Sequence, residues 1–172
     1  MPVASFDTIP GGWQGTADTV ARMHKLIADG KTNLTIQKIA DNIIKASGAR
    51  DRDYDEQAKA IFNFVKGYVR FQRDPFAVEM IQDPIVTLGR KAGDCDDHTT
   101  LNCALLGSVG FPYAIKTIKA DATRPDEFSH VYAICHTTGQ GWTGFDTSVG
   151  PSYYGWQPPG KYAYQVWPPK VD

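Results

Sequence analysis

The chain of 172 residues has little cysteine, no long apolar run and no excess of either charge. Its three cysteines are few and odd in number, which argues against a disulfide framework and predicts free thiols. No apolar stretch approaches the roughly 20 residues that span a bilayer, and no signal peptide is visible. A net charge of −1 without a Lys/Arg run argues against nucleic-acid binding. These absences predict a cytoplasmic protein with neither a membrane nor a nucleic-acid partner.

The spacing of the apolar residues changes once along the chain. Up to Gly110 these residues recur at helical spacing, and beyond it they alternate with polar residues as in strands. Helices followed by an antiparallel sheet predict an α+β fold in which the sheet packs on the last helix. We expect an N-terminal arm over residues 1–15 and a single domain over residues 16–172.

Turn and cap residues divide these two regions into elements. Gly30 is expected to close the first helix, Asp53 to cap the third, and the Asp74-Pro75 pair to stop it, with a loop between this pair and residue 93. The tail from Gly150 is predicted to wrap the surface or to add a last strand. The predicted elements are helices over 16–30, 34–47, 53–73 and 95–109 and strands over 113–120, 130–136 and 141–148.

The stretch GDCDDHTTL contains the leading candidate for a catalytic residue. Cys95 follows Gly93 and Asp94, a turn residue and a cap residue, and therefore lies in the first turn of the fourth helix. Unpaired N–H groups and the helix dipole favour a thiolate there and can hold an oxyanion. The carboxylates of Asp94, Asp96 and Asp97 oppose the thiolate, so a nearby imidazolium has to outweigh them.

Two adjacent predicted strands supply the partners that a thiol nucleophile needs. His130 begins one strand and Asp146 lies on the next, each at a position able to face the start of the fourth helix. A Cys–His pair with a carboxylate that orients the imidazole performs acyl transfer through a thioester. Cys95, His130 and Asp146 are therefore the predicted catalytic residues.

Four pieces in this order resemble the transglutaminase-like core of the papain-type cysteine peptidase superfamily: YVRFQRDP, TLGRKAGDCDDHTTLNCALLGSVGFPYAIKTI, FSHVYAI and GWTGFDTS. The resemblance covers about residues 55–149 and implies a papain-like, transglutaminase-type fold with accessory N-terminal helices. It places the family's Cys, His and Asp on Cys95, His130 and Asp146, and it implies no cofactor. We expect a cysteine peptidase or amidase, because the chain is short and shows no extra β domain. A protein-glutamine acyltransferase and a catalytically idle structural or peptide-binding protein are the alternatives.

A narrower likeness connects the chain with transglutaminase-like proteins of tailed bacteriophages. It is carried by EMIQDP, GDCDD, FSHVY and YGWQPP. It implies a protein of the host cytoplasm or the virion, with a virion protein, a host protein or a peptidoglycan peptide as substrate. It also suggests Gln82 as an oxyanion-hole side chain, with an ordinary loop glutamine as the alternative.

Four further residues are candidates to line the substrate groove. Large rigid rings suit such walls, which makes Tyr153, Tyr154 and Trp156 candidates, with core packing as the alternative. Asp97 is expected to be a cap and surface residue, and the alternative is that it shapes the substrate site.

The other cysteines and histidines are given structural interpretations. Cys103 and Cys135 are expected in the core, and His98 is expected to be a half-exposed helix residue. A zinc site of Cys95, His98 and His130 with a carboxylate is the rival hypothesis. The sequence has no CxxC and no HExxH motif, so we expect no metal.

Overall fold

The computed structural model describes residues 12–75 and 80–169. Helices precede an antiparallel sheet within these ranges, so the predicted α+β plan is confirmed. No helix in the described part of the chain has both the length and the apolar character that crossing a membrane requires. In chain order the elements are α1 (Gly12–Thr32), α2 (Leu34–Ser47), α3 (Tyr54–Tyr68), β1 (Arg70–Phe71), α4 (Pro84–Arg90), β2 (Ala92–Gly93), α5 (Cys95–Ser108), β3 (Tyr113–Ile118), β4 (His130–Thr137), β5 (Gly141–Phe145) and β6 (Tyr164–Trp167).

Cap residues set the ends of the helices where the sequence prediction was most accurate. The side chain of Asn33 accepts a hydrogen bond from the backbone N–H of Thr35 at the start of α2, and Gly48 ends this helix with a φ of 71°. Such a left-handed residue after a helix is commonly glycine, which has no Cβ to clash. Asp53 caps α3 as predicted, since its side chain accepts from the N–H of Glu56.

The first helix is longer than predicted at both ends. It begins at Gly12, so residues 12–15 of the predicted arm are helical, and residues 1–11 lie outside the described residues. Gly30 is buried inside α1 and does not close it. A Cβ at this position would lie 3.0 Å from Ala104 Cβ and 3.0 Å from Pro84 Cγ. The glycine therefore allows close packing of α1 on α5 and α4.

The segment between α3 and α5 is more ordered than the predicted loop. α3 ends at Tyr68, before Asp74-Pro75, because the next residues form β1, which pairs in parallel with β2. Asp83 then caps the seven-residue α4, with Pro84 at its first turn. A helix of this length completes too few turns to produce a recognisable apolar period.

The main sheet has the strand order β5-β4-β3-β6, with antiparallel pairing throughout. The tail supplies β6. Of the two predictions for the tail, a surface wrap or a last strand, the last strand is confirmed. One face of β4 packs Val131, Ala133 and Cys135 into the main core, and the other face carries Tyr132 and Ile134 in a smaller apolar cluster. The sheet thus has an inner face toward the helices and an outer face.

α5 occupies the centre of the molecule. Every residue from Asp96 to Leu106 is buried, because α1, α2, α3, α4 and β4 all pack around this helix. Cys103 and Cys135 are fully buried, as predicted. The burial of α5 fixes the position of its first residue, Cys95, beside the sheet.

Candidate active site

The first turn of α5 is capped in a way that leaves one backbone donor available. The side chain of Asp94 accepts from the N–H groups of Asp96 and Asp97 at 3.0 and 3.3 Å, and Asp97 accepts in return from the Asp94 N–H at 3.3 Å. The N–H of His98 donates to the carbonyl of Asp94. Among the described residues, the N–H of Cys95 is the first-turn donor for which no hydrogen bond is found. It is therefore the natural donor for an oxyanion formed at Cys95.

The sulfur of Cys95 lies beside the first residues of β4. Its Sγ is 3.7 Å from Asp96 Oδ1, and the backbone of Val131 donates a hydrogen bond toward it. Because Val131 directly follows His130, the thiol and the imidazole belong to one region of the molecule. Cys95 is also partly exposed, whereas Cys103 and Cys135 are fully buried.

The environment of Cys95 favours a protonated thiol. Burial raises its pKa well above the ordinary value, the charges of Asp96 and Asp94 raise it further, and only the hydrogen bond from Val131 lowers it. The thiolate that the helix terminus favours stays a prediction, since burial and the two carboxylates act against it. The sulfur needs a base that removes its proton as it attacks.

His130 and Asp146 form a hydrogen-bonded pair across β4 and the end of β5. The distance between His130 Nε2 and Asp146 Oδ2 is 2.7 Å. The N–H and the Oγ–H of Ser148 donate to Asp146 Oδ1 at 3.0 and 2.7 Å. Burial pushes the pKa of Asp146 upward, but the bonds from His130 and Ser148 outweigh it and the pKa is lowered. Asp146 is thus ionised, and it holds the proton of the ring on Nε2 and leaves Nδ1 as the basic nitrogen.

A buried polar network joins α5 to the residue after Asp146. His98 Nδ1 lies 2.8 Å from Thr147 Oγ1, which also accepts from Asn102 Nδ2 at 2.9 Å. His98 is 1% exposed, so the half-exposed position predicted for it is wrong. Burial lowers its pKa to about 4, and the ring is neutral at physiological pH. His98 therefore fixes the Asp146 segment relative to the helix that carries Cys95.

The zinc set considered from the sequence is not assembled. Within the described ranges, the metal-ligating atoms that lie close enough together for one ion belong to Asp94, Cys95 and Asp96. Neither His98 nor His130 is part of this group, and Nδ1 of His98 is already bonded to Thr147. The imidazoles that a Cys/His zinc site requires are absent from it.

Lys66 is a site residue that the sequence did not reveal. Its Nζ donates to the carbonyl of Val149 and, at 2.9 Å, to Ser152 Oγ. Burial lowers the pKa of Lys66, and the charge of Asp146 opposes this effect. No local pattern separates Lys66 from the exposed Lys59, because both alternate with apolar residues. Lys66 ties the segment that follows Asp146 to α3.

Removing this tie is expected to lower activity without removing a reacting group. Lys66→Met should reduce kcat about tenfold, because the Asp146 segment loses two hydrogen bonds to a cation. Hydrogen exchange of residues 146–152 should accelerate in the same variant. Lys59→Met, on the exposed side of the same helix, serves as the control and should change neither quantity. Unchanged kcat in Lys66→Met would contradict the positioning role.

Gln82 and Asp97 form a structural pair. The backbone N–H of Gln82 donates to Asp97 Oδ1 at 2.7 Å, and its side-chain Nε2 donates to Asp97 Oδ2 and, at 3.4 Å, to the carbonyl of Ala92. Both N–H bonds of the Gln82 amide are therefore engaged, which leaves it no donor for an oxyanion. Asp97 is fully buried, so it lies neither at the surface nor in an open groove. Its predicted role as a helix cap is confirmed by the capping box.

The three aromatic groove candidates occupy different environments. Tyr154 packs edge-on against Phe62 and Phe145, with ring centroids 6.2 and 6.0 Å away, and so belongs to the core. Tyr153 is 66% exposed. Trp156 is partly exposed and follows Gly155, whose N–H donates to Gly144 of β5. Groove positions for Tyr153 and Trp156 stay predictions.

The acidic cluster at the start of α5 makes stability depend on pH. Burial raises the pKa of Asp94 to about 7, and the charges of Asp97 and Asp74 add to the rise. A carboxyl with a raised folded-state pKa binds its proton more tightly when folded. Its contribution to stability is therefore complete below the unfolded value of about 3.9 and lost as the pH rises through about 7.

Replacing Asp94 by asparagine should remove this loss, since asparagine keeps the cap oxygen and carries no charge. At pH 8.5, Asp94→Asn is expected to raise the free energy of unfolding by about 1 kcal/mol, which corresponds to a rise in Tm of about 2–4 °C. At pH 5 the change in Tm should be smaller. Differential scanning calorimetry at both pH values measures the effect. Asp53→Asn changes the cap of α3 in the same way and is the matched control. An equal Tm shift at both pH values in Asp94→Asn would rule out the titration.

Comparison with known proteins identifies the family. The profile of the Transglutaminase-like superfamily matches residues 37–147, more than half of the chain. This protein therefore belongs to the transglutaminase-like superfamily. The matched region contains Cys95, His130 and Asp146. No curated protein matches the chain at a significant level.

Two solved bacterial structures are similar to the chain. A candidate protease from Parabacteroides distasonis is 15% identical with a TM-score of 0.55, over 76% of this chain and 26% of its own. A candidate cysteine protease from Cytophaga hutchinsonii is 22% identical with a TM-score of 0.48, over 66% of this chain and 37% of its own. The chain thus spans well under half of either structure. The first of these likenesses supports the transglutaminase-like, papain-type fold.

Proposed function

We propose that the protein is a cysteine-dependent hydrolase that cleaves peptide or amide bonds through a thioester. The observation that carries the proposal is the 2.7 Å contact between His130 Nε2 and Asp146 Oδ2, taken together with a partly exposed thiol at the N-terminus of α5. The proposal is also supported by the hydrogen bond toward the sulfur from the backbone of Val131, the residue that follows His130. A scaffold has no need of this combination.

The first step is attack by Cys95 on the carbonyl carbon of the substrate. His130 Nδ1 takes the thiol proton as the S–C bond forms, because burial keeps this proton on the sulfur in the resting protein. Asp146 stabilises the imidazolium that results and keeps its ring in place. The N–H of Cys95 donates to the oxyanion, and Gln82 has no part in this step.

The tetrahedral intermediate then collapses to a thioester. The imidazolium of His130 gives its proton to the leaving nitrogen, the C–N bond breaks and an amine is released. His130 next removes a proton from water, which attacks the thioester carbonyl and releases the acid. The S–C bond breaks, and the sulfur recovers its proton from His130.

An amine in place of water would make the same chain a transglutaminase. We favour hydrolysis because the Parabacteroides distasonis protein that shares this fold is a candidate protease. The expected substrate is a virion or host protein, or a peptidoglycan peptide, as the phage likeness implies. A catalytically idle protein with this fold is the remaining alternative.

Incubation of the full chain with casein, with and without a fluorescent primary amine, distinguishes the hydrolase, the transglutaminase and the catalytically idle protein. Release of new peptide termini or ammonia at equal rates with and without the amine supports the hydrolase. Amine incorporation that outpaces release would identify a transglutaminase. Absence of both reactions on casein and on purified peptidoglycan peptides would favour the idle protein.

A further inference from the structure

The outer face of the sheet carries a large groove that the proposed chemistry does not use. Its volume is about 830 Å³, within the range of small-ligand sites. Its walls include apolar residues of β3, β4 and β6 and of the segments beside them. Two aromatic side chains of the lining, Trp142 and Tyr164, are 54% and 62% exposed. Such exposed rings beside an apolar cavity are typical of a binding surface.

The charged side chains that line the groove are all positive. Its lining includes Lys31 and Lys116 and contains neither an aspartate nor a glutamate. Lys116 is half-buried, its Nζ donates to Gln157 Oε1 at 2.9 Å, and it lies over the rings of Tyr132 and Tyr164 at 5.6 and 4.6 Å.

No carboxylate among the described residues pairs with Lys116, and burial is the cause that lowers its pKa. Its one hydrogen-bond partner is the neutral amide oxygen of Gln157, so the ammonium keeps N–H groups that can bind an anion. The groove is therefore complementary to a ligand that is both apolar and negatively charged.

Tyr132 lies between Lys116 of the groove and His130 of the candidate active site. Lys116 pairs with Tyr132 in the sheet, and the hydroxyl of Tyr132 donates to Gln157 Oε1 at 3.2 Å. The ring of Tyr132 stacks on that of His130, with centroids 5.8 Å apart. Tyr132 and His130 are two residues apart on one face of β4, a distance of about 7 Å. An extended peptide that reacts near His130 reaches Lys116 within two or three residues.

We propose that this groove binds an acidic segment of the substrate peptide, with its carboxylate on Lys116 and a neighbouring apolar side chain against the exposed ring of Tyr164. The peptide nature of the ligand rests on the proposed function. The apolar anion site itself does not.

A pair of matched fluorescent probes tests the site without a known substrate. 8-Anilinonaphthalene-1-sulfonate and N-phenyl-1-naphthylamine share one ring system, and only the first is an anion. In the full chain, Lys116→Met should lower the affinity for the anionic probe about tenfold, because one charge-assisted contact is lost. The affinity for the neutral probe should not change. Lys116→Arg should restore most of the affinity. Lys119→Met, a lysine that lies over Phe128 outside the groove lining, is the control and should have no effect.

Two further measurements decide the outcome. N-acetyl-phenylalanyl-glutamate should displace the anionic probe at lower concentration than its glutamine amide analogue, and Cys95→Ser should bind both probes like the unmodified chain. Equal binding of the anionic probe by Lys116→Met and the unmodified chain would overturn the site. Displacement by small aromatic carboxylates but not by the acidic peptide would overturn the peptide ligand. Normal probe binding in a chain without amidase activity would refute the proposed function and leave the anion site intact.

Discussion

Cys95→Ser is expected to abolish the hydrolase activity, with a loss of at least about 10⁴-fold in kcat/KM. A serine hydroxyl at this position has a far higher pKa than a thiol, and His130 is not arranged to ionise it. The variant should fold normally, because Cys95 is partly exposed and the cap of α5 comes from Asp94. Release of peptide termini from casein, with Tm as the measure of folding, provides the test.

The other two thiols serve as controls for this prediction. Cys103→Ala and Cys135→Ala remove fully buried side chains, so they should lower Tm and keep kcat. Activity that survives in Cys95→Ser, or that disappears in a still-folded Cys135→Ala, would assign the chemistry to a different group.

Asp146→Asn is expected to lower kcat by about 10³–10⁴-fold, although it changes only a few atoms. Both donors of Ser148 bind Oδ1, so an asparagine here would keep its oxygen toward Ser148 and turn its NH₂ toward His130. The ring would then have to accept on Nε2 and carry its proton on Nδ1. That tautomer has no lone pair for the thiol proton of Cys95.

The role of Ser148 makes this prediction specific. Ser148→Ala alone should reduce kcat only a few-fold, since Asp146 stays ionised and keeps its bond to His130. In Asp146→Asn/Ser148→Ala one of the two donors is gone, and the amide is freer to turn its oxygen toward His130. The double variant should recover part of the lost activity. Equal activity of the double variant and Asp146→Asn would exclude the tautomer explanation.

Local signals predicted much of this fold. Helix α2 and its Gly48 terminus, the Asp53 cap of α3 and the start of α5 at Cys95 all follow from residues within one turn of the boundary. The stretches after Gly110 likewise predicted β3, β4 and β5, because apolar and polar residues that alternate along the chain are typical of a strand.

Tertiary contacts decided the features that sequence reasoning missed. α5 is buried on all sides, so its polar residues are buried along with its apolar ones, and His98 was wrongly expected to be half-exposed. Lys66 bonds to Val149 and Ser152 across more than eighty residues, and no short pattern predicts such a partner. The pairing of Gln82 with Asp97 likewise depends on how α4 packs on α5.

The choice between a thiolate and a thiol at Cys95 also needed the structure. The helix terminus favours the charged sulfur, whereas burial and the carboxylates of Asp96 and Asp94 oppose it. These effects have opposite signs, and the sequence does not show which residues surround the sulfur. We therefore propose that Cys95 is a neutral thiol and that His130 removes its proton during attack.

The measurement that tests this account most directly is the pre-steady-state reaction of the chain with p-nitrophenyl acetate. We predict a burst of about one equivalent of p-nitrophenolate per chain, with the acetyl group mapped to Cys95 by mass spectrometry and a burst at least about 10²-fold slower in His130→Ala. A burst rate that is the same in both chains, or an acetyl group on another residue, would contradict it.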